Sequence, residues 1–384
     1  MNIVIIPSWF PTKGNQINGS FFLEQANALA RFGHKVIVVN VSYVGRKDYL
    51  IASNYKITDC IMGDVRVISK TTPGLGVSRR KKQMYQRFYF NLTKIFKKYK
   101  LSNWCDVIHC HCYLPAGYYG CMIGKKYDIP VVVTEHASNL IQKKDIVNKS
   151  MLDYAVHSSN AFISVGDALN KSILELTDTS NDLYIIPNIV SPLFVYTKKS
   201  FTSSFRFISV GSLQKRKNHD LVIRAFQKFN DLYPQSELII VGDGPEKQFL
   251  KRLIDELMLK ESVVLLGSLS RENTYREISL SDVFILASQS ETFGVVYAEA
   301  LMVGRPAIAK KNGGSEYIIN DTNGIVLDSD KYEDFFLAMK YLYLNYNSYN
   351  QEKISLDAQS KYSDDVISRR ITSIYEKVVN THEE

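Results

Sequence analysis

Two glutamates, Glu291 and Glu299, lie eight residues apart across a predicted junction between a strand and a helix. The apolar run Val283–Ala287 is typical of a buried strand, and Val295–Val303 favours a helix that a glycine and a proline end. Glu291 then lies in the loop after the strand, and Glu299 about two turns into the helix. The free amides of the first turn lie between them. Because a helix amino terminus attracts phosphate and a glutamate accepts sugar hydroxyls, the arrangement suits a nucleotide-sugar.

A cationic segment follows another predicted strand, Phe205–Val210. Gly211 forms the turn after this strand, and Arg216 and Lys217 open the next helix. These cations could neutralise a diphosphate leaving group, and such neutralisation is often the largest single catalytic term. The alternative is a solvated basic loop.

Gly19 precedes the predicted helix Phe21–Phe32 near the amino terminus. A glycine there lets the backbone approach a ligand closely, and the amino end of the helix can face a phosphate or a sugar. The chain has no Gly-x-Gly-x-x-Gly, so the dinucleotide fingerprint is absent from its sequence. The alternative for Gly19 is a plain turn.

Histidines follow two predicted strands of the first half. His136 comes after the strand Val131–Thr134 and could donate to a sugar hydroxyl or to developing charge, the alternative being a surface histidine. The sequence His109-Cys110-His111-Cys112 raises the possibility of zinc. Because side chains alternate along a strand, the histidines face one way and the cysteines the other, whereas zinc needs convergent ligands. We therefore expect a buried strand whose end presents His111, and no metal site.

One acidic triplet, Asp328-Ser329-Asp330, has the Asp-x-Asp spacing of a known metal-binding motif. It ends the late apolar segment Gly324–Leu327, where we expect it to cap the following helix rather than to bind metal.

Strands and helices alternate over almost the whole chain, which predicts an α/β protein with parallel sheets. The pattern restarts near Phe205 after a polar stretch. We expect two Rossmann-like domains that face each other across a deep cleft, where such folds bind ligands. The predicted boundaries are 1–195 for the first domain, completed by a helix at 366–384, then 196–204 for the linker and 205–365 for the second domain. The predicted strands of the first half are Ile3–Ile6, Lys35–Val41, Val65–Ser69, Val107–His111, Val131–Thr134, Ala161–Val165 and Tyr184–Ile186.

The bulk composition is that of a two-domain globular protein of 384 residues with 45% hydrophobic residues. No apolar run approaches the roughly 20 residues that a membrane span needs, and the first predicted strand begins at Asn2, which predicts no signal peptide. The odd number of cysteines, 5, is not a disulfide framework and favours the cytoplasm.

A net charge of +8 suits an anionic partner. The basic segment 79–100 has apolar residues at helical spacing, which predicts a core-packing stripe with a solvated basic face. Its alternative is a surface that contacts an anionic membrane peripherally.

These residues together resemble the retaining glycosyltransferases of the GT-B fold, specifically family 4 (glycosyl transferases group 1). The similarity runs over most of the chain and is strongest from Phe205 to Leu327. The pieces that carry it are Glu291-x7-Glu299, Val210-Gly211 through Lys217, Ile186-Pro187-Asn188, Val241-Gly242-Asp243-Gly244-Pro245, Gly313-Gly314-Ser315-Glu316, the loop with Gly19, Phe32-Gly33-His34-Lys35-Val36, and His111 with Pro115-Ala116-Gly117.

The resemblance implies transfer of a sugar from a UDP- or GDP-sugar with retention, without a metal and without a cofactor. It implies catalytic roles for His136, Glu291 and Lys217, with Glu291 on the donor sugar and Lys217 on the diphosphate. Glu299 would bind the ribose, and the backbone of Gly267–Leu269 would meet the base. The implied donor-binding residues are Gly19, Gly211, Arg216, Lys217, Gly267, Leu269, Glu291, Phe293, Gly294, Val295 and Glu299.

One position departs from the family pattern. Many members have arginine directly after the glycine equivalent to Gly211, and here that residue is Ser212. Arg216 is one candidate for the second positive charge. The alternative is that stabilisation of the leaving group rests on Lys217 and the helix.

We expect a cytoplasmic hexosyltransferase-like enzyme, peripheral on the inner face of the membrane, with a glycan or polyprenyl-linked glycan acceptor. Its pathway would be the biosynthesis of a surface polysaccharide such as a capsule, exopolysaccharide, O-antigen or teichoic-type polymer. One alternative is a nucleotide-sugar epimerase or another GT-B enzyme. A remote alternative is a basic module that binds membrane or nucleic acid, whereas the expected enzyme binds no nucleic acid.

Overall fold

The computed structural model describes residues 1–11, 19–44, 57–73, 81–137, 140, 149–179, 183–199 and 204–383. The chain forms two compact units, one of Met1–Ile189 with Asp364–Glu384 and one of Val190–Ser363. The division therefore falls after Ile189 rather than after residue 195, and the last helix joins the first unit from Asp364.

The described part of the predicted linker belongs to the second unit. Lys199 pairs with Asp282 there, and the buried Arg305 donates from Nη2 to the Thr197 carbonyl at 2.9 Å. These contacts hold 196–199 against the second unit, which a composition argument could not detect. Residues 200–203 lie outside the described residues.

The first unit is built on an eight-stranded sheet with the order β3-β4-β2-β1-β5-β6-β7-β8. Its pairs are parallel except for β3 with β4, which is antiparallel. The strands are β1 Asn2–Pro7, β2 Lys35–Val44, β3 Thr58–Met62, β4 Val65–Pro73, β5 Val107–His111, β6 Val131–Glu135, β7 Ala161–Ser164 and β8 Leu183–Ile185. The helices are α1 Ser20–Arg31, α2 Lys81–Tyr99, α3 Tyr118–Tyr127, α4 Lys149–Ser158, α5 Asp167–Thr177 and, from the chain end, Asp364–Glu383.

Burial explains why most of these strands are visible in the sequence. Ile3, Val4, Ile5 and Ile6 of β1 are all 0% exposed, as expected for a parallel strand covered on both faces. The strand β3 was not predicted, because it is a mostly exposed edge with polar residues and no apolar run. The helix Asp364–Glu383 places Ile367, Ile371 and Tyr375 in the same core as β1, at the spacing of one helical face.

The second unit has a six-stranded parallel sheet with the order β11-β10-β9-β12-β13-β14. The strands are β9 Phe205–Val210, β10 Ser236–Val241, β11 Val263–Gly267, β12 Val283–Leu286, β13 Ala307–Lys310 and β14 Gly324–Leu327. The helices are α6 His219–Leu232, α7 Lys247–Glu256, α8 Arg271–Ser279, α9 Val295–Met302, α10 Ser315–Ile318, α11 Tyr332–Leu344 and α12 Gln351–Tyr362, and the first-unit helix Asp364–Glu383 is α13.

Each sheet has one place where the strand order reverses. In the second unit β9 lies beside both β10 and β12, and in the first unit β1 lies beside both β2 and β5. Open parallel sheets bind ligands at the carboxyl ends of the strands at such a reversal point. The α/β fold with two Rossmann-like sheets is thus as predicted.

Candidate functional site

The reversal point of the second sheet brings Lys217 to Glu291. Lys217 ends the 3-10 turn Lys215–Lys217 after β9, and Glu291 lies in the loop after β12. Nζ of Lys217 forms an ion pair with Oε1 of Glu291, and the side chains keep 10% and 13% of their surface exposed. Because the pair is largely shielded from solvent, the attraction between its two charges is stronger than in an exposed surface pair. The remaining exposure leaves the pair in contact with solvent. Two predicted site residues are therefore neighbours in space.

The Glu291 loop is held in shape by a second loop beside it. Glu291 N donates to the Asn312 carbonyl at 3.1 Å, and Asn312 Nδ2 donates to the Tyr297 hydroxyl at 3.1 Å. A Cβ on Gly314 would lie 2.5 Å from the Phe293 carbonyl oxygen, so only glycine allows the two loops to approach this closely. Phe293 itself is 0% exposed, and its ring packs into the core. Only its backbone can face a ligand.

The helix α9 begins at this loop without a side-chain cap. Gly294 is its N-cap residue, has a φ of +82°, and makes no side-chain cap hydrogen bond. The first amides of a helix have no partner within the helix. Gly294 and Val295 are partly exposed, so the amino end of α9 offers donors to an anion beside the Lys217–Glu291 pair.

Glu299 lies four residues after the first residue of α9, which is about one turn and not the two turns expected from the sequence. It is 1% exposed. Its Oε1 accepts from Nη1 of Arg271 at 2.6 Å, while its Oε2 is buried without a hydrogen-bond partner among the described residues. The guanidinium of Arg271 also lies 4.7 Å from the centre of the Phe194 ring. Arg271 is a residue that the sequence analysis missed, because it starts α8 and meets Glu299 only in the folded unit.

Three turns at the carboxyl edge of the second sheet pack directly on one another. Gly242 N donates to the Gly267 carbonyl at 2.8 Å, and Gly211 N donates to the Val241 carbonyl at 2.9 Å. A Cβ on Gly242 would lie 1.9 Å from the Gly211 carbonyl oxygen. The predicted site residues Gly211 and Gly267 thus lie on one edge, and Leu269 follows on the same turn, partly exposed.

Arg216 and Ser212 are placed differently from Lys217. Arg216 is exposed, and its Nε donates to Gln214 Oε1 at 3.1 Å, so its side chain lies along its own turn. Its carbonyl oxygen accepts from Gln289 N at 2.8 Å, which ties the turn to the loop after β12. Of the two predicted cations, Lys217 is the one that the fold brings to Glu291.

His219 is a buried histidine of this edge that the sequence analysis did not identify. It begins α6, is 2% exposed, and its Nδ1 lies 3.3 Å from Ser209 Oγ. Burial, together with the nearby charge of Lys217, lowers the pKa of His219 to about 4. The ring is therefore neutral near pH 7. It packs against the Gly211 turn, since a Cβ built on Gly211 would lie 3.7 Å from His219 Nε2.

The histidines of the first unit lie at the carboxyl ends of β5 and β6. His111 Nδ1 lies 3.0 Å from His136 Nε2, and both residues are buried. His136 is therefore not a surface histidine. Burial, and the neighbouring His109, lower the pKa of His136 to about 3. Gly19 is also buried, and a Cβ there would lie 3.0 Å from Trp9, so its close approach is to the loop after β1.

A buried glutamate next to His136 organises this edge. Glu135 is 0% exposed, and its Oε1 accepts from the amides of His136 at 2.9 Å and Ala137 at 2.7 Å. Its Oε2 accepts from the Tyr113 amide at 2.6 Å. The carboxylate thus joins the loop after β5 to the loop after β6. The sequence carried a signal for it, namely a charged residue at the end of an apolar strand.

No cluster of three or more potential metal-ligating side chains occurs among the described residues. Asp328 and Asp330 pair with Lys311 and Lys310. The predicted capping role for this acidic triplet is wrong, because the N-cap of α11 is Lys331, without a side-chain cap hydrogen bond. Ser329 Oγ accepts from the Lys331 amide at 3.1 Å, so the triplet binds the N-cap residue and not an amide of the first helical turn.

Comparisons with known proteins agree with this architecture. The family described as "Glycosyl transferases group 1" matches residues 197–355, and "Glycosyltransferase Family 4" matches residues 19–192. The chain belongs to the GT-B glycosyltransferases of family 4, group 1.

One relative and two solved structures illustrate the similarity. An alpha-monoglucosyldiacylglycerol synthase from Acholeplasma laidlawii is 27% identical over 290 residues, which cover 67% of this chain and 72% of that protein. Sucrose-phosphate synthase from Thermosynechococcus elongatus superposes with a TM-score of 0.81 at 16% identity, over 99% of this chain and 100% of that one. Anabaena HepE in complex with UDP and glucose gives a TM-score of 0.73 at 16% identity, over 98% and 100%.

Proposed function

We propose that this glycosyltransferase moves a sugar from a UDP- or GDP-sugar to a glycan or lipid-linked acceptor, with retention and without a metal ion. The observation that carries the proposal is the ion pair of Lys217 with Glu291 at the reversal point of the second sheet, beside the uncapped amino end of α9. The solved HepE structure contains UDP and glucose, which supports a nucleotide-sugar donor.

The roles within the second unit follow from charge and burial. Lys217 and the first amides of α9 would stabilise the negative charge that develops on the departing diphosphate. Glu291 would accept hydrogen bonds from hydroxyls of the donor sugar. Glu299 would bind the ribose, since its Oε2 has no partner among the described residues. Because Arg216 is exposed and turned toward Gln214, the structure favours Lys217 as the cation on the diphosphate.

Retention would proceed by attack on the same face of the sugar that the diphosphate leaves. The departing phosphate oxygen takes the proton of the acceptor hydroxyl, so that the new glycosidic bond forms as the bond to phosphate breaks. A carboxylate nucleophile in the first unit would be an alternative. Glu135 does not serve as one, because its two oxygens already accept three backbone amides.

The assignment of these roles is tested by turnover of the nucleotide-sugar in Lys217→Ala and Glu291→Ala variants. We expect large losses of kcat, on the order of 100-fold or more, the effect typical of removing one charge-stabilising group. Lys353→Ala removes an exposed lysine of the same unit as a control. Near-normal turnover in both site variants would contradict the site assignment.

The donor base is tested by a thermal-shift screen against UDP-, GDP- and ADP-sugars. A ligand at 100 times its Kd stabilises the folded state by about 2.7 kcal/mol, so the correct donor should raise the unfolding temperature and the others should not. Equal, small shifts with all three would argue against a specific nucleotide-sugar site.

We further propose a cytoplasmic enzyme of surface-polysaccharide biosynthesis that is peripheral on the inner face of the membrane. Among the described residues, no helix is long and apolar enough to cross a bilayer. The helix α2 packs Phe88, Leu92 and Ile95 into the core at 0% exposure, as predicted from the sequence. Residues 79 and 80 of the predicted basic segment lie outside the described residues.

The outward face of α2 supports the membrane proposal. It carries Arg87, Phe90, Lys94 and Lys97 at helical spacing, and Phe90 is 67% exposed. Basic residues around an exposed aromatic ring suit the interface of an anionic bilayer. The similarity to a synthase of a glucosylated diacylglycerol also supports an acceptor at a membrane.

Co-sedimentation with vesicles of phosphatidylglycerol and phosphatidylcholine tests this contact. The double variant Lys94→Glu with Lys97→Glu should lose binding to the anionic vesicles. The matched control Lys353→Glu with Lys361→Glu reverses two exposed charges on another helix and should bind like the wild type. Equal binding of both double variants would exclude α2 as the contact.

A further inference from the structure

Glu299 is a buried carboxylate whose two oxygens are treated differently by the fold. Oε1 accepts from Nη1 of Arg271 at 2.6 Å. Oε2 is buried without a hydrogen-bond partner among the described residues. Buried polar atoms in native proteins normally have a partner, and an atom left without one costs free energy. The carboxylate therefore has one oxygen held by the protein and one oxygen available to a ligand.

Arg271 reaches Glu299 from a fixed point of the backbone. It is the first residue of α8 and follows Ser270, whose hydroxyl accepts from the Asn273 amide at 3.2 Å and caps the helix. Such a cap stabilises the start of a helix. The turn Gly267–Leu269 ends directly before Ser270. The Cα atom of Arg271 is thus held next to the turn to which the family resemblance assigns the nucleotide base.

An aromatic ring holds the other end of the Arg271 side chain. The guanidinium carbon lies over the Phe194 ring, 4.7 Å from its centre. Phe194 is 0% exposed, and the centre of its ring lies 5.8 Å from that of Tyr275. An aromatic face attracts a cation, and a planar guanidinium on a ring has its N–H groups in fixed directions. The helix start and the ring together limit the directions from which Arg271 can donate.

The ion pair is uneven in its exposure. Arg271 keeps 35% of its side chain exposed, whereas Glu299 keeps 1%. Removing one partner of a buried pair leaves the other as an uncompensated charge. The position of the buried carboxylate therefore depends on the arginine more than the arginine depends on the carboxylate. Phe194, Arg271 and Glu299 all belong to the second unit.

We propose that Arg271 is a positioning residue for the nucleoside end of the donor, which holds Oε1 of Glu299 so that Oε2 is presented to the ribose hydroxyls. The inference rests on the proposed function, in which Glu299 binds the ribose. Arg271 acts through Glu299 and does not itself touch the nucleotide. Its contribution to affinity is therefore confined to ligands that carry the ribose hydroxyls.

The preference for these hydroxyls is the measurement that isolates the role of Arg271. Isothermal titration calorimetry gives the Kd of UDP and of 2′,3′-dideoxy-UDP, or of GDP and its dideoxy counterpart if GDP binds more tightly. The hydroxyl ratio is the Kd of the dideoxy nucleotide divided by the Kd of the ribonucleotide. A hydrogen bond to a charged group predicts a ratio on the order of 10 or more for the wild type. The measurement needs no sugar transfer.

Arg271→Met removes the charge and the N–H groups while it keeps an extended apolar side chain. The Glu299 carboxylate then loses its donor at Oε1 and can turn away, so the hydroxyl ratio should fall to within about threefold of 1. Arg276→Met is the matched control, because it makes the same change at an exposed position of the same helix and should keep the wild-type ratio. Glu299→Gln should lower the ratio like Arg271→Met. The double variant should lower it no further, since both changes act on one contact.

An unchanged ratio in Arg271→Met overturns the proposal, even if both Kd values rise, because that result indicates direct contact with the nucleotide or a general loss of structure. Arg271→Lys keeps a charge beside the buried carboxylate and protects the folded state. Its ratio should also fall, because an ammonium group has no planar fork. If Arg271→Met does not fold, a wild-type ratio in Arg271→Lys overturns the proposal.

Failure of the proposed function gives a different result. A wild-type ratio near 1 contradicts the ribose role of Glu299 and, with it, the role of Arg271. A low ratio in Glu299→Gln together with a wild-type ratio in Arg271→Met overturns the inference on Arg271 alone.

Discussion

Glu299→Gln is the substitution that most directly tests the nucleoside end of the proposed donor site. The carboxylate is 1% exposed, with Oε1 bound to Arg271 at 2.6 Å and Oε2 without a partner among the described residues. Glutamine has the same shape and can keep an oxygen on Arg271. Its other terminal atom then becomes an NH₂ group, which cannot accept from a ribose hydroxyl.

The magnitude follows from the lost hydrogen bond. A hydrogen bond to a charged group contributes about 1.5–3 kcal/mol, which corresponds to roughly 10- to 150-fold in affinity. We expect the Kd for UDP, or for GDP if that is the donor nucleotide, to rise by this factor. The folded state should change little, because Arg271 keeps 35% of its side chain exposed and stays solvated.

Isothermal titration calorimetry with the nucleoside diphosphate measures the affinity, and thermal unfolding measures the stability. Glu277→Gln is the matched control, since Glu277 also accepts from an arginine, Arg206 at 2.9 Å, in the same unit. That variant should bind nucleotide like the wild type. If the wild type binds the nucleotide and the Kd of Glu299→Gln is within twofold of the wild-type Kd, Glu299 does not hold the ribose.

Three further predictions concern stability. Gly242→Ala should unfold the second unit, because its Cβ would lie 1.9 Å from a carbonyl oxygen. Gly211→Ala should keep the unit folded, because Gly211 has no positive φ and a Cβ there meets its nearest atom at 3.7 Å. Acidification from pH 7 to pH 5 should lower the unfolding temperature. Burial holds the pKa of His109 at about 3, so below pH 6.5 the unfolded state takes up the proton first, and His109 alone lowers the free energy of unfolding by about 2 kcal/mol at pH 5. An unfolding temperature that does not change with pH in calorimetry would contradict this. Arg305→Met should cost about 3 kcal/mol in urea unfolding, because the buried guanidinium satisfies two carbonyls and a side-chain amide, while Arg369→Met on the surface should cost nearly nothing.

Local sequence patterns were enough to predict most of the fold. Short runs rich in apolar residues marked most of the buried parallel strands, and the predicted bounds of Val107–His111 match the structure. They could not mark β3, whose side chains are exposed, nor place the end of the first unit at Ile189. Both depend on which surface each segment meets after folding.

The candidate site was likewise predictable from the sequence only in part. The spacing of Glu291 and Glu299 across a strand and a helix was readable because both lie within one local unit of chain. The partners of these two glutamates were harder to predict from the sequence. Lys217 was a candidate on its charge alone, and neither its contact with Glu291, 74 residues away, nor that of Arg271 with Glu299 followed from any spacing.

The sequence by itself determined the alternation of strands and helices, the two α/β units, the family resemblance and the glutamate pair at the start of α9. Periodicity and turn residues carry that information, because they act over a few neighbouring residues. Only the tertiary structure decided that Lys217 meets Glu291, that Glu135 binds three amides of two loops, and that His111 meets His136. Those contacts depend on the order of strands in each sheet, which is set by non-local packing of the whole unit.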